Sequence, residues 1–193
     1  DIDGEAASDY SGWSVSLSED GTIVAIGAYA NDGNGSNSGH TRIYQYANDS
    51  WTQLGSDIDG EAASDYSGWS VSLSKDGTIV AIGAFFNDGN GSNSGHTRIY
   101  QYANDSWTQL GSDIDGEASF DRSGFSVDLS EDGTIVAIGA YLNDGNGSQS
   151  GHTRIYQYSS GSTSTLLGSA TADSNGDFTI TSSTLSEGDY SLT

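Results

Sequence analysis

The sequence predicts an all-β protein built from β-propeller-type, four-stranded antiparallel blades. A 56-residue unit occurs three times in tandem, and apolar and polar residues alternate within each unit. No stretch shows the apolar period of an α-helix. Near-identical copies should adopt the same local structure and stack on one another. A sandwich built from hairpins is the structural alternative, and a β-helix would normally have shorter repeats.

The repeats span 1–56, 57–112 and 113–158, and a different segment, 159–193, follows them. The first two copies differ at three positions, which are Glu19/Lys75, Tyr29/Phe85 and Ala30/Phe86. The third copy differs from the first at seven positions over 46 residues. Such similarity indicates recent duplication within one chain.

Each copy predicts four strands. In the first copy, 12–18 alternates apolar residues with serines, as a half-buried strand does, and 19–21 supplies a hairpin turn. The segment 22–28 is apolar on both faces and predicts a central, buried strand. Strands are also expected at 40–46 and 50–54. Four strands in a unit of this length are typical of a propeller blade.

Charge narrows the classes of partner. Lys and Arg number 5 against 27 Asp and Glu, so the formal net charge is −22. Such a surface repels nucleic acid and anionic lipid, and it favours solubility or the binding of hard cations. The chain has no Cys, which excludes disulfides and zinc–thiolate sites, and no apolar run long enough for membrane insertion. The absence of Met at the start predicts a processed chain or a fragment of a longer protein.

The strand pair at 11–17 and 20–28 resembles the FG-GAP repeat, whose pattern is an aromatic residue with Gly, a Ser-Val strand, a turn, an apolar strand and Gly-Ala-Pro. The resemblance recurs at 67–84 and 123–140. It implies blades of an integrin-like β-propeller in a secreted or cell-surface bacterial protein. Two departures stand out. The aromatic residue follows the Gly, as in Trp13, and the turn after the first strand is too short for the integrin calcium loop.

The segment 159–193 allows two interpretations. Parts of it resemble strands of a bacterial immunoglobulin-like domain, although too few for a complete sandwich. It could instead complete the third blade, because 165–168 falls near the position that 53–55 takes in the first copy.

The polar loop after the second strand is a candidate Ca²⁺ site. Its oxygen-bearing side chains alternate as they do in calcium loops, but no Glu closes the loop at the twelfth position. The alternative is a turn held by Asx hydrogen bonds. The candidate ligands are Asp32, Asn34 and Ser36, Asp88, Asn90 and Ser92, and Asp144, Asn146 and Ser148.

Other recurring residues receive structural interpretations. The acidic lead-in of Asp1, Asp3, Glu5 and Asp9 is either a second cation site or a solvated loop in which Asp9 caps a turn. One His per copy indicates a repeated structural feature, and one Arg per copy is expected to pair with carboxylates. The Trp residues are expected in the blade core.

The positions at which the copies differ just after the second strand suggest a partner contact. Bulky apolar residues at a loop mouth can form a contact surface. These residues are Tyr29, Phe85, Phe86, Tyr141 and Leu142.

Three blades are too few for an ordinary closed propeller, which has four to eight. The ring is therefore expected to be incomplete or to be completed by oligomerisation, with self-association of the chain. The function expected first is an extracellular, non-catalytic adhesion or interaction module with Ca²⁺ as a stabilising ion and a protein or glycan ligand. A structural, self-assembling surface or filament protein is the alternative, and a propeller enzyme is the third candidate. Near-identity of the copies argues against an enzyme, because an active site usually needs a distinctive set of residues.

Overall fold

The computed structural model describes residues 1–158, 164–171 and 181–182. In this part of the chain all regular structure is β, arranged as three antiparallel sheets in chain order. The first sheet contains β1 (Ser14–Leu17), β2 (Ile23–Ala28), β3 (His40–Ala47), β4 (Ser50–Gln53) and β5 (Ile58–Asp59).

The second sheet repeats this plan 56 residues later, and the third varies it. The second contains β6 (Ser70–Leu73), β7 (Ile79–Ala84), β8 (His96–Ala103), β9 (Ser106–Gln109) and β10 (Ile114–Asp115). The third contains β11 (Ser123–Leu129), β12 (Ile135–Ala140), β13 (His152–Tyr158), β14 (Ser164–Thr171) and β15 (Thr181–Ser182).

The first two blades each take the end of their outer edge from the next copy. In the first sheet β1 pairs with β2, β2 with β3, and β3 with both β4 and β5 along the same edge. β4 covers the C-terminal half of β3, and β5, which belongs to the second copy, covers its start through the pairs Thr41–Ile58 and His40–Asp59. The sequence predicted the fourth strand at 50–54 but not this continuation. Two residues are too few to show an alternating pattern.

In the third blade the outer strand comes from the segment after the repeats. β14 pairs with β13 over its length, with a register shift between Ile155 and Tyr156, and β15 pairs with β14. Residues 164–171 therefore take the place that β4 and β5 occupy in the first blade. The immunoglobulin-like resemblance is not shown, and the remainder of the segment lies outside the described residues.

The hydrophobic core lies between neighbouring blades. Ile23, Ala25, Ile43 and Ile58 of the first blade pack against residues of the second in one cluster, whose other buried members are Val71, Leu73, Val80 and Ile82. A second cluster joins the second and third blades in the same way. Every residue of β2 is buried, as its two-sided apolar pattern predicts. Packing blade on blade thus supplies the burial that one sheet cannot supply alone.

Three four-stranded antiparallel blades that do not close into a ring confirm the fold class expected from the sequence. Among the residues that the structure describes, no helix is long and apolar enough to cross a membrane.

The expected burial of the first strand is wrong for the first copy. Val15 and Leu17 are 62% and 60% exposed, whereas their equivalents Val71 and Leu73 are 9% and 7% exposed. The difference arises because the first blade covers this face of the second, while no described residue outside the first blade covers the same face of the first. The expectation of Trp residues in the core also fails, since Trp13 is 51% exposed and the other three are partly buried.

Candidate functional site

The seams between neighbouring blades repeat the same polar contacts. Ser14 Oγ donates to the carbonyl oxygen of Gly68 at 2.7 Å, and the amide of Leu73 donates to Ser16 Oγ at 3.0 Å. A Cβ on Gly27 would lie 2.0 Å from the Gly68 oxygen, so the close approach of the two blades requires glycine at this position.

The same contacts recur between the second and third blades. Ser70 Oγ donates to the Gly124 oxygen at 2.8 Å, and the Leu129 amide donates to Ser72 Oγ at 3.0 Å. A Cβ on Gly83 would lie 2.1 Å from the Gly124 oxygen. One set of residues therefore specifies both seams.

The hairpin tips also join across the seams. The Glu19 amide donates to the Lys75 oxygen at 2.9 Å, and the Lys75 amide donates to the Glu131 oxygen at 2.7 Å. The Lys75 ammonium lies 2.9 Å from Glu19 and 3.5 Å from Glu131, and these ion pairs raise the pKa of Lys75. Lys75 thus places one positive charge between two carboxylates, at a turn where the other copies carry Glu.

Aromatic rings form a continuous ladder across the three blades. Trp13 lies 4.7 Å from Trp69, ring centre to ring centre, and Trp69 lies 5.7 Å from Phe125. Tyr29 and Phe85 each contact the ring of the following copy, at 5.0 Å from Trp69 and 5.5 Å from Phe125 respectively. Such edge and tilted contacts stabilise by about 0.5–1.5 kcal/mol per pair beyond burial.

The ladder contains several of the residues predicted to contact a partner, and a partner contact at these residues stays a prediction. Phe85 is only 5% exposed, and Phe86 lies under the Arg122 guanidinium, 3.7 Å from the ring centre. Tyr141 is 47% exposed, and Leu142 is half-buried. In the first two blades these positions contact the next copy, so their role inside the molecule is to join blades.

Among residues 1–158, 164–171 and 181–182, nothing covers the two outer faces of the blade stack. On the third blade a cleft of about 530 Å³ is lined by residues including Phe125, Ser126, Gly139, Tyr141 and His152. The described atoms nearest to a Cβ added at Gly139 all belong to Ser126 of the same blade, and the nearest of them is Oγ at 2.4 Å. On the first blade the matching face exposes Trp13, Val15 and Leu17.

The loops predicted to bind calcium use their side chains for turns and seams. Asp32 Oδ1 accepts the Asn37 amide at 2.7 Å, and Asp88 makes the equivalent bond to Asn93. The Asn34 side chain donates to the carbonyl oxygens of Gly60 and Glu61 in the next copy, at 2.8 and 3.0 Å. Corresponding contacts bind Asn90 to the third copy. Calcium binding at these loops stays a prediction.

The acidic lead-in separates into two functions. Asp9 is buried, and it accepts the Asn31 side-chain amide at 2.9 Å and the Ala6 backbone amide at 3.2 Å. It therefore holds the turn that precedes it, whereas the sequence predicted a solvated loop in which it caps the following turn. Glu5 instead faces the start of β3. Its Oε2 lies 3.7 Å from His40 Nδ1, and its Oε1 lies 3.5 Å from Arg42 Nη1.

The second copy repeats this charged cluster. Glu61 Oε2 lies 3.7 Å from His96 Nδ1, Asp113 Oδ2 lies 3.8 Å from the same atom, and Arg98 Nη1 lies 3.8 Å from Glu61 Oε1. Burial of His96, helped by the nearby Arg98 charge, lowers its pKa to about 4. Burial also raises the pKa of Glu61. The pairing of Arg with carboxylates confirms the sequence expectation.

The convergence of these residues was not predicted. Asp113 opens the third copy, yet its side chain faces the second blade, because β10 continues that blade's outer edge. Predicting that Glu61, His96 and Asp113 lie together would have required knowing that β10 pairs with β8.

Comparison with solved structures supports the fold. A protein from Bacteroides uniformis that is provisionally named a 6-phosphogluconolactonase aligns with a TM-score of 0.55 at 14% identity, over 86% of this chain and 46% of its own. A Bacteroides fragilis protein with the same provisional name aligns with a TM-score of 0.56 at 11% identity, over 86% and 41%. The chain spans less than half the length of either, and identities this low establish a shared fold alone.

No curated protein matches the sequence significantly. The sequence pattern of the FG-GAP repeat matches three times, at residues 3–44, 57–100 and 113–156, which is more than half of the chain. Each match covers the first two strands of one blade and part of the third, together with the residues of these strands that form the seams. The chain therefore belongs to the FG-GAP repeat family.

Proposed function

We propose that this chain is a non-catalytic interaction module that completes its propeller by pairing head to tail with a second copy of itself. The observation that carries the proposal is that the two open faces are the two halves of one seam. The exposed surface of the first blade carries Val15 and Leu17, whose equivalents in the second blade are buried against the first. The exposed surface of the third blade is the one that, in the first two blades, packs against the blade that follows.

The contacts of the proposed interface follow from the repeat. We obtain these contacts by shifting the residues of the second seam forward by one repeat of 56 residues. Ser126 then lies against Gly12 of the second chain, as Ser70 lies against Gly124. It places the ring of Phe125 next to Trp13 and so continues the aromatic ladder. Both exposed ends of the ladder would then be covered.

Two chains supply six blades. Six is the multiple of three that falls within the usual four to eight, and a closed ring leaves no open blade face. Each chain carries a formal charge of −22, so association should strengthen as salt screens this repulsion.

Disulfide trapping tests the pairing in a chain that has no Cys of its own. The Ser72 hydroxyl lies 3.4 Å from an Asp128 oxygen across the second seam, and the proposed interface sets Asp128 against Ser16 of the other chain. Ser16→Cys combined with Asp128→Cys should give covalent dimers on oxidation. Ser72→Cys with Asp128→Cys is the matched control and should cross-link within one chain. Absence of dimers from the first pair, while the control pair cross-links, would contradict the proposal.

The wider role proposed is that of an extracellular adhesion or interaction module, at the cell surface or secreted. FG-GAP membership and the strongly acidic surface support it. A protein or glycan array probed with the assembled protein tests for a ligand, and binding to none of either class would leave a purely structural, self-assembling role.

A catalytic role is not proposed. The provisional names of the similar structures suggest one assay, hydrolysis of 6-phosphogluconolactone. The three copies offer nearly the same side chains in each blade rather than one distinctive set, so we expect no rate above the uncatalysed reaction. A hydrolysis rate that increases with the concentration of this protein would overturn this expectation.

A further inference from the structure

A buried histidine in the second blade has no hydrogen-bond partner. His96 is 1% exposed, and neither of its ring nitrogens donates or accepts a hydrogen bond. Leaving a buried polar group unpaired costs about 1–3 kcal/mol. Two buried, unpaired nitrogens on one ring point to a group outside the described residues that satisfies one of them.

The unpaired Nδ1 atom faces two carboxylates. It lies 3.7 Å from Glu61 Oε2 and 3.8 Å from Asp113 Oδ2, which is too far for hydrogen bonds. The three donor atoms all lie within 4.8 Å of one another. Two sides of this triangle are 3.7 and 3.8 Å and the third is at most 4.8 Å, so the point in its plane that is equidistant from the three atoms lies about 1.9–2.4 Å from each. This range includes the lengths of Zn–N and Zn–O bonds, about 2.0–2.2 Å.

The surroundings suit a metal-binding set. Arg98 Nη1 lies beside Glu61 Oε1, so the other oxygen of that carboxylate is held toward His96. Outer contacts of this kind orient metal ligands. Burial lowers the pKa of His96 to about 4, so its imidazole is neutral at pH 7 and offers a lone pair.

The first blade repeats the arrangement independently. His40 Nδ1 lies 3.7 Å from Glu5 Oε2 and 3.7 Å from Asp57 Oδ2, and His40 Nε2 is also buried without a partner. Arg42 lies 3.5 Å from Glu5 Oε1. The same three donor types therefore converge twice.

We propose that Glu61, His96 and Asp113, and likewise Glu5, His40 and Asp57, each bind a first-row divalent transition metal ion such as Zn²⁺. One imidazole nitrogen with two carboxylate oxygens favours such an ion over Ca²⁺, which takes oxygen ligands. Glu61 and Asp113 side chains are 43% and 30% exposed, so solvent reaches the site and water can fill the remaining coordination positions.

The third blade provides a natural control. His152 and Glu117 are present at 3.5 Å, but Ser169 stands 56 residues after Asp113. Ser169 lies opposite Arg154 in the third blade. In the second blade the pairs Ile114–Thr97 and Asp115–His96 put Asp113 at the equivalent place. Among the described residues the third blade thus offers two of the three ligands, so two ions are expected per chain.

The site joins parts of the chain that are distant in sequence. In the second blade the ion would connect the lead-in before β6, the start of β8 and the beginning of the third copy. A bound ion would therefore fasten each copy to the next at the outer edge of the sheet, and metal binding should raise the melting temperature.

Titration of the full chain with Co²⁺ and Zn²⁺ tests the proposal. Calorimetry should give two Zn²⁺ per chain, and Co²⁺ should develop visible absorption that Zn²⁺ displaces. Asp113→Asn should reduce the stoichiometry to one, and Asp57→Asn with Asp113→Asn should abolish it. These changes retain size and lie at partly exposed positions, and far-ultraviolet circular dichroism checks that the variants remain folded.

A gain-of-site variant separates specific binding from attraction to the acidic surface. Ser169→Asp should raise the stoichiometry from two to three, and Thr52→Asp, at an exposed position outside the clusters, should leave it at two. Zn²⁺ binding that persists unchanged in the Asp57→Asn and Asp113→Asn double variant, or no binding up to millimolar Zn²⁺, would overturn the proposal. Neither result depends on the oligomeric state of the chain, so it leaves the proposed pairing of blades untouched.

Discussion

A methyl group added at Gly139 should break the proposed dimer without destabilising the single chain. At the two internal seams the equivalent glycines, Gly27 and Gly83, face a backbone oxygen of the next blade at 2.0 and 2.1 Å from an added Cβ. At Gly139 the nearest atom to an added Cβ is Ser126 Oγ at 2.4 Å, and this hydroxyl can rotate away. The substitution Gly139→Ala is therefore tolerated within the chain but collides with a second copy.

The size of the effect follows from overpacking, which costs about 1–3 kcal/mol at a close-packed site. A two-chain ring contains two such interfaces, so Gly139→Ala should cost the dimer about 2–6 kcal/mol. The dissociation constant of the dimer should then rise by at least about 30-fold.

Sedimentation equilibrium over a range of concentrations measures that constant, and thermal melting of the dilute chain measures stability. Gly83→Ala is the matched control, because the same methyl group placed at an internal seam should lower the stability of the single chain by about 1–3 kcal/mol. The reasoning would be refuted if Gly139→Ala dimerised as tightly as the parent chain, or if Gly83→Ala melted as the parent chain does.

Three further predictions concern the seams and the buried histidine. Trp107 Nε1 donates to the Leu54 oxygen at 2.8 Å, so Trp107→Phe should lower the free energy of unfolding in denaturant by about 0.5–1.5 kcal/mol. Trp51→Phe, which has a similar aromatic neighbour, should lower it by less, and equal losses would argue against the hydrogen bond across the seam. Lys75→Glu places a third carboxylate at the hairpin tips and should lower the melting temperature most at low salt, with a salt-independent difference counting against the ion pairs. Because the pKa of His96 is depressed to about 4 in the folded chain, the unfolded chain binds more protons between pH 6.5 and about 4. The free energy of unfolding is therefore unaffected by His96 above pH 6.5 and falls as the pH is lowered through this window. In chelator, His96→Gln should remove up to about 3 kcal/mol of that loss, and pH profiles of unfolding that run parallel for the two proteins would contradict it.

The repeated strands were predictable because their signals are local. The segment 22–28 is apolar on both faces, and it forms the fully buried β2 at Ile23–Ala28. The hairpin turn before it and the third strand beginning at His40 also follow from residues adjacent in sequence. Near-identity of the copies then extends each local inference to the other blades.

Features that depend on contacts between copies were not predictable from one copy. Val15 and Val71 have the same neighbours in sequence but exposures of 62% and 9%, because a blade covers only the second. The two residues of β5 carry no pattern of their own and pair with β3 only because the next copy continues the outer edge.

The candidate metal cluster was missed for the same physical reason. Glu61 and His96 belong to the second copy, whereas Asp113 opens the third and is brought to them by β10. The sequence alone predicted a structural role for His96, and for the acidic lead-in of each copy it predicted either a second cation site or a solvated loop, without joining the two. The exchange of the outer strand between copies is what makes the three side chains neighbours.

The mass of the unmodified chain in solution tests the central claim most directly. Light scattering at moderate ionic strength should give about 40 kDa, twice the 20.0 kDa of one chain, because the open face of the third blade pairs with the open face of the first in another copy. A mass of 20.0 kDa that persists as the protein concentration and the salt concentration are raised would contradict the account.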